Sequence, residues 1–146
     1  MGVRLTGRAR DLLLGPNLGD LAAMRRDGGA HVVPLWVDVD DEGLVVLDGA
    51  EGRAWVGQLR RDPRVSLTVQ SREDPYEYLA LRGRVAREGG DPAFAHVDAL
   101  ARRYTGHDTD PYRRPGEVRA LFWVEPGWAF HSYDFGVPHP GNVDRA

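Results

Sequence analysis

Apolar and polar positions alternate over several short stretches of this chain, and glycine, proline and aspartate punctuate them. Period-two runs predict half-buried strands, whereas apolar spacing of three and four predicts helices. Thr6 to Leu14 places Leu12 and Leu13 ahead of Gly15-Pro16 and reads as a short helix. Asn17 to Met24 and His31 to Asp38 read as the first two strands, joined by Arg26-Asp27-Gly28-Gly29, where glycine supplies the positive φ of a turn. Pro34 falls inside the second run; having no N–H, it belongs at a sheet edge or a bulge. Asp40 to Gly43 turns the chain into a third strand, Leu44 to Leu47, which leads into a tight loop over Asp48 to Gly52.

The stretch Gly52 to Gln70, GRAWVGQLRRDPRVSLTVQ, is the centre around which the rest of the chain is organised. It predicts a basic helix that stops at Asp62-Pro63 and a strand from Val65 to Val69. A basic helix opening beside a glycine-containing loop offers unpaired N–H groups and guanidinium to an anion, so this is the candidate phosphate seat. The alternative is a helix whose Arg60 and Arg61 only face water. Tyr76 to Arg87 alternates as a long strand, and Gly83 within it marks a bulge or the close approach of another backbone. Asp91-Pro92 opens a helix that runs to about Tyr104, with Phe94, Val97, Leu100, Ala101 and Tyr104 on one face. Val118 to Val124 and Trp128 to Ser132 read as a hairpin around Glu125-Pro126-Gly127. About six strands, two or three helices and no βαβ alternation predict a mainly β fold with flanking helices, a small antiparallel barrel. The expected division is one domain over residues 1–135 and a C-terminal arm or disordered tail over 136–146, which has little to bury.

Composition narrows the chemistry. With 146 residues the chain is long enough for one real core, and its net charge of −3 gives no reason to expect nucleic acid as a partner. All 19 basic residues are arginine, and the absence of cysteine excludes disulfides, thiolate nucleophiles and thiolate metal sites. No long apolar run and no signal-peptide core is present, so the expected location is the cytoplasm, with no membrane partner. The five histidines form no metal-binding spacing, and His31 and His131 read as ordinary polar residues at strand ends. No serine sits in a nucleophile elbow, and neither a dinucleotide fingerprint nor a P-loop occurs. Trp36, Trp55, Trp123 and Trp128 are able to wall a planar ligand; Trp36 and Trp123 are expected in the core or a subunit interface instead.

Several runs carry a resemblance: LRRDPRVSLTV (Leu59 to Val69), EDPYEYLALRGRV (Glu73 to Val85), HVDALARRYTGHD (His96 to Asp108) and PYRRPGEVRALFWVEP (Pro111 to Pro126). Together with HVVPLW (His31 to Trp36), these resemble the flavin/deazaflavin split-barrel superfamily of pyridoxamine 5'-phosphate oxidase-like proteins, and within it the branch dependent on coenzyme F420. The resemblance implies a six-stranded antiparallel split β-barrel, the FMN-binding fold of that superfamily, assembled as a homodimer with the cofactor in a groove between subunits. It implies that Val33, Pro34 and Leu35 lie along the tricyclic ring, that Asp48 to Gln58 meets the phosphate, and that Arg53 binds it. Thr68, Tyr78 and Arg60 belong to the neighbourhood of the same groove, Arg60 and Arg82 as candidates for a long acidic tail. Three positions depart from the family pattern: Trp55 stands where a phosphate-binding lysine is usual, Gln58 where asparagine is, and Asp48 where threonine or serine is. A carboxylate beside a phosphate is repulsive unless something bridges them. The implied activity is hydride transfer from reduced F420 to a small organic substrate, chemistry that the cofactor supplies and that needs no side-chain acid or base. FMN in place of F420, and a non-catalytic split barrel with an eroded cofactor site, are the alternatives.

Overall fold

The computed structural model describes residues 2–133, 137–138 and 143–145. Chain order is β1 (Val3–Leu5), α1 (Gly7–Leu14), β2 (Gly19–Met24), β3 (Ala30–Leu35), β4 (Val37–Val39), β5 (Val45–Ala50), α2 (Ala54–Arg61), β6 (Arg64–Gln70), β7 (Tyr78–Gly90), α3 (Ala95–Thr105), β8 (Arg119–Tyr133), β9 (Val137–Pro138) and β10 (Val143–Arg145). One antiparallel sheet runs β3-β2-β6-β7-β8-β5-β4, with β9 added beside β8; β1 and β10 form a separate pair. The main path thus has seven strands where six were expected.

Its curvature follows from one residue. The expected strand His31 to Asp38 is two strands, β3 and β4, which stand at opposite ends of the sheet order with only Trp36 between them. Consecutive Cα atoms are about 3.8 Å apart, so the sheet must curl until its edges nearly meet. Period alone did not separate them because HVVPLWVD is almost continuously apolar. Trp36 is held at the seam by α3: its ring stacks on Tyr104 at 5.4 Å and 12°. The Tyr104 hydroxyl donates to the Asn17 carbonyl at 2.7 Å and accepts from the Val37 N–H at 3.1 Å. Arg103 adds donors to the Val37 carbonyl and the Asp38 carboxylate. Pro34 sits on β3, at the edge of the path, where its missing N–H costs no ladder bond.

The core fills the barrel with the inward positions of these strands. Val65, Leu67 and Val69 of β6 are buried while Ser66 and Thr68 face out, the alternation the sequence shows. Hairpin β2–β3 closes as expected, Gly28 taking φ of 86° and Asp27 accepting the Gly29 N–H. The α2 stop at Asp62 also agrees, its N–H bonded to the Gln58 carbonyl.

Two further expectations are corrected. Residues 118–132 form no hairpin: β8 is a single strand antiparallel to β7 over nearly its whole length. Pro126 and Gly127 are absorbed as an irregularity, the register shifting between Arg82 and Gly83. A Cβ on Gly83 would collide with the Glu125 carbonyl, so glycine is required there. In addition, Asp48 to Ala50 belong to β5, not to a loop. Gly49 permits this because the Trp55 ring lies directly on it, in the space a side chain would fill.

His131 is not at a strand end but inside β8, 2% exposed. Its Nε2 lies 3.0 Å from Glu77, which also receives both arms of Arg8 at 2.8 Å. This network, buried at Glu77 and His131 and half-exposed at Arg8, ties α1 to the sheet. Of the expected tail, Val137–Pro138 and Val143–Arg145 pair as strands; residues 136, 139–142 and 146 lie outside the described residues. No helix among the described residues is long and apolar enough to cross a membrane.

Candidate functional site

A cleft of about 370 Å³ opens where the seam, β5 and α2 meet. One wall is formed by β3 and the seam, Val33, Pro34, Leu35 and Trp36; opposite stand Asp48, Gly49 and Ala50 of β5 and Arg53 at the start of α2. Trp55 closes the base. Only 5% exposed, its indole rests on Gly49 and tilts against Phe122 at 5.9 Å, so it serves as floor and core rather than as a stacking face. Val97, Asp110, Tyr112 and Arg119 complete the rim and back.

Arg53 is the N-cap of α2 and is exposed, and its side chain makes no capping bond. It therefore stands beside the first-turn N–H groups with its guanidinium available to a ligand. Tyr112, 71% exposed, tilts against Trp36 at 6.3 Å and continues the Tyr104–Trp36 ladder to the mouth. The loop carrying it is pinned to α3: Asp98 accepts the Asp110 N–H at 2.9 Å and pairs with Arg113, whose guanidinium covers the Phe94 ring at 4.0 Å. Phe94 itself holds φ of 58°, a left-handed conformation uncommon outside glycine, and Asp91 caps α3 past it by accepting the N–H groups of His96 and Val97. The helix hence starts four residues after the Asp91-Pro92 signal.

Behind the cleft lies a charged cluster that sequence spacing did not reveal. His96 Nδ1 is 2.9 Å from Asp48 and Nε2 is 3.0 Å from Asp38. Arg119 Nε donates to the other Asp48 oxygen at 2.9 Å and Nη1 to Glu117 at 3.1 Å. Burial alone would lower the His96 pKa, but the hydrogen bonds to Asp38 and Asp48 outweigh it and hold the ring up to about 9. Burial pushes Asp38 the other way, up, yet His96 and Arg103 bring it below its ordinary value. The Asp48 carboxylate has no exposed surface, so it is bridged on both oxygens and does not confront a ligand. These residues come from four separate segments, and no local period links them.

Six of the residues expected at the cofactor, Val33, Pro34, Leu35, Asp48, Arg53 and Trp55, line this one cleft. Four others do not. Gln58 bonds to His31 Nδ1 at 2.9 Å, joining α2 to β3. Arg60 is held between Glu51 and Glu88. Thr68 faces outward on β6, and Tyr78 opens β7 with its ring 6.0 Å from Phe130. Arg82 covers Trp128 at 4.4 Å, and Trp123, half-buried, lies under Arg87 at 4.6 Å.

The family model for pyridoxamine 5'-phosphate oxidase matches residues 5–133, nearly all of the chain. The chain belongs to this family. Solved structures agree in fold. An F420 reductase is 29% identical with a TM-score of 0.71, covering 82% of this chain and 94% of its own. A conserved hypothetical protein of Mycobacterium tuberculosis is 23% identical with a TM-score of 0.67 (90% and 88% covered). The heme storage protein HutZ of Vibrio cholerae, 14% identical with a TM-score of 0.61 (92% and 99%), shares the fold alone. No curated protein sequence matches the chain.

Proposed function

We propose that this protein binds coenzyme F420 and promotes hydride transfer from the reduced deazaflavin to a small organic substrate. One observation carries the choice of cofactor. A second cleft, about 650 Å³, adjoins the first and shares Ala50, Arg53 and Tyr112 with it. Its two carboxylates are both ion-paired, Glu51 with Arg60 and Glu117 with Arg119. Arg53 and Arg114 line it, and no carboxylate among the described residues pairs with either. A ligand built of a planar ring, a phosphate and a long acidic extension suits this sequence of surfaces; FMN would leave the second cleft unused.

The residues present fit that group. The β3 wall and Leu18 offer an apolar slot for the ring, and Arg53 with the first turn of α2 offers donors to the phosphate. The bound cofactor supplies the hydride, and the protein's share is orientation, a dry apolar wall and charge compensation. The F420 reductase relative supports the same reading. The working unit is taken to be a homodimer, with exposed Leu18, Val32 and Tyr78 as the apolar surface a second copy would cover.

Fluorescence titration with F420 and with FMN tests the proposal. Micromolar or tighter F420 binding with much weaker FMN is expected, and Arg114→Ala should weaken F420 about fivefold while leaving FMN unchanged. Binding of FMN alone would replace F420 with a flavin, and binding of neither would favour a non-catalytic barrel.

A further inference from the structure

We infer that Arg119 is a second anion-binding residue of the first cleft, and that His96 is the positioning residue that cancels the carboxylate charge around it. The inference rests on the reading of this cleft as an anion-holding site. Arg119 lines the cleft and is largely buried, its side chain only 11% exposed. Nε and Nη1 are committed to Asp48 and Glu117, which leaves Nη2 with no partner among the described residues. One guanidinium against two carboxylates would give a net negative spot, and an incoming anion would be repelled.

His96 changes that balance. Asp38 from β4 and Asp48 from β5 meet its ring, Arg103 from α3 itself pairs with Asp38, and Arg119 from β8 joins Asp48 to Glu117 just ahead of β8. Asp91 meets the His96 backbone N–H and not the ring. Three carboxylates thus face two arginines, and the third positive charge is the imidazolium. A charged ring donates from both nitrogens, satisfying Asp38 and Asp48 together; a neutral ring donates from one only and leaves a carboxylate uncompensated. With His96 protonated the cluster is neutral, so that the Arg119 Nη2 group donates to an anion in the cleft without a surplus carboxylate behind it. The matching ligand group is a phosphodiester or another tetrahedral oxyanion.

Sulfate is the direct probe, since its charge is constant from about pH 6 to 10; binding to the full chain is followed by calorimetry at fixed ionic strength. Wild-type affinity should be flat from about pH 6 to 8 and about tenfold weaker at pH 10 as the ring loses its proton. Arg119→Gln should lose about tenfold at pH 7. His96→Gln should bind as weakly as the wild type at pH 10 and show no pH dependence, and His96→Gln with Asp48→Asn should recover most of the loss by removing the excess charge. A wild-type profile flat to pH 10 overturns the inference without any variant, as does absence of sulfate binding or a folded double variant that recovers nothing. Sulfate binding with this profile but no F420 binding supports the inference and overturns the cofactor reading instead.

Discussion

Asp48 takes hydrogen bonds on both oxygens from cations of two different elements, and the stability of the fold is coupled to pH through that arrangement. His96 carries a folded-state pKa of about 9 against an ordinary 6.5. Its contribution is therefore complete below about pH 6.5, declines as pH rises through the interval and is gone above about 9. A thermal melt series should show Tm falling between about pH 7 and 9.5 in the wild type, and a shallower fall in His96→Gln. Equal slopes would mean that the ring is not held charged. Read along the chain alone, Asp48 is an unexpected carboxylate beside an anion seat, and it would repel a phosphate if nothing bridged it. The bridges are His96, 48 residues away, and Arg119, 71 residues away. Such pairings are set by strand order, not by spacing.

At the level of elements, the loop after α3 is fastened to that helix by Asp98, which holds the Asp110 N–H and Arg113, and by Arg102, which donates to the Asp108 carbonyl. Asp98→Ala should raise amide exchange across residues 108–114 severalfold while costing about 1–2 kcal/mol of global stability, measured by hydrogen exchange and urea unfolding. Unchanged exchange in the loop would show that Tyr112 is held by its own packing on Trp36. Elements whose signal is local were readable: α1, α2 with its proline stop, the glycine turn before β3, and the alternation of β6. Those whose boundaries answer to distant partners were not. Pro126-Gly127 has the chemistry of a turn, yet β7 pairs on both sides of it, and the strand passes through. Asp48 to Ala50 has the composition of a loop, but β8 pairs with it residue by residue. Trp55 gives no sign in sequence that its partner will be the bare backbone of Gly49.

For the whole molecule, the mainly β class and the family were legible from composition, alternation and motif runs, while the division of HVVPLWVD into β3 and β4 and the fusion of residues 118–132 into one strand were not. Assembly is a matter for solution measurement. Sedimentation equilibrium should give a dimer at micromolar concentration, and a stable monomer there would remove the shared-groove reading. The seam at Trp36 also bears on how the barrel is completed. Because β3 and β4 are neighbours in sequence but the two ends of the sheet, the cleft wall exists only after every intervening strand is in place. Contacts of long sequence separation must all form first, which places completion of the wall late in folding. A ligand in the cleft then has no affinity for any partly assembled form. At about a hundred times its dissociation constant it would add about 2.7 kcal/mol to the closed state alone, so that occupancy acts as a latch on the finished barrel.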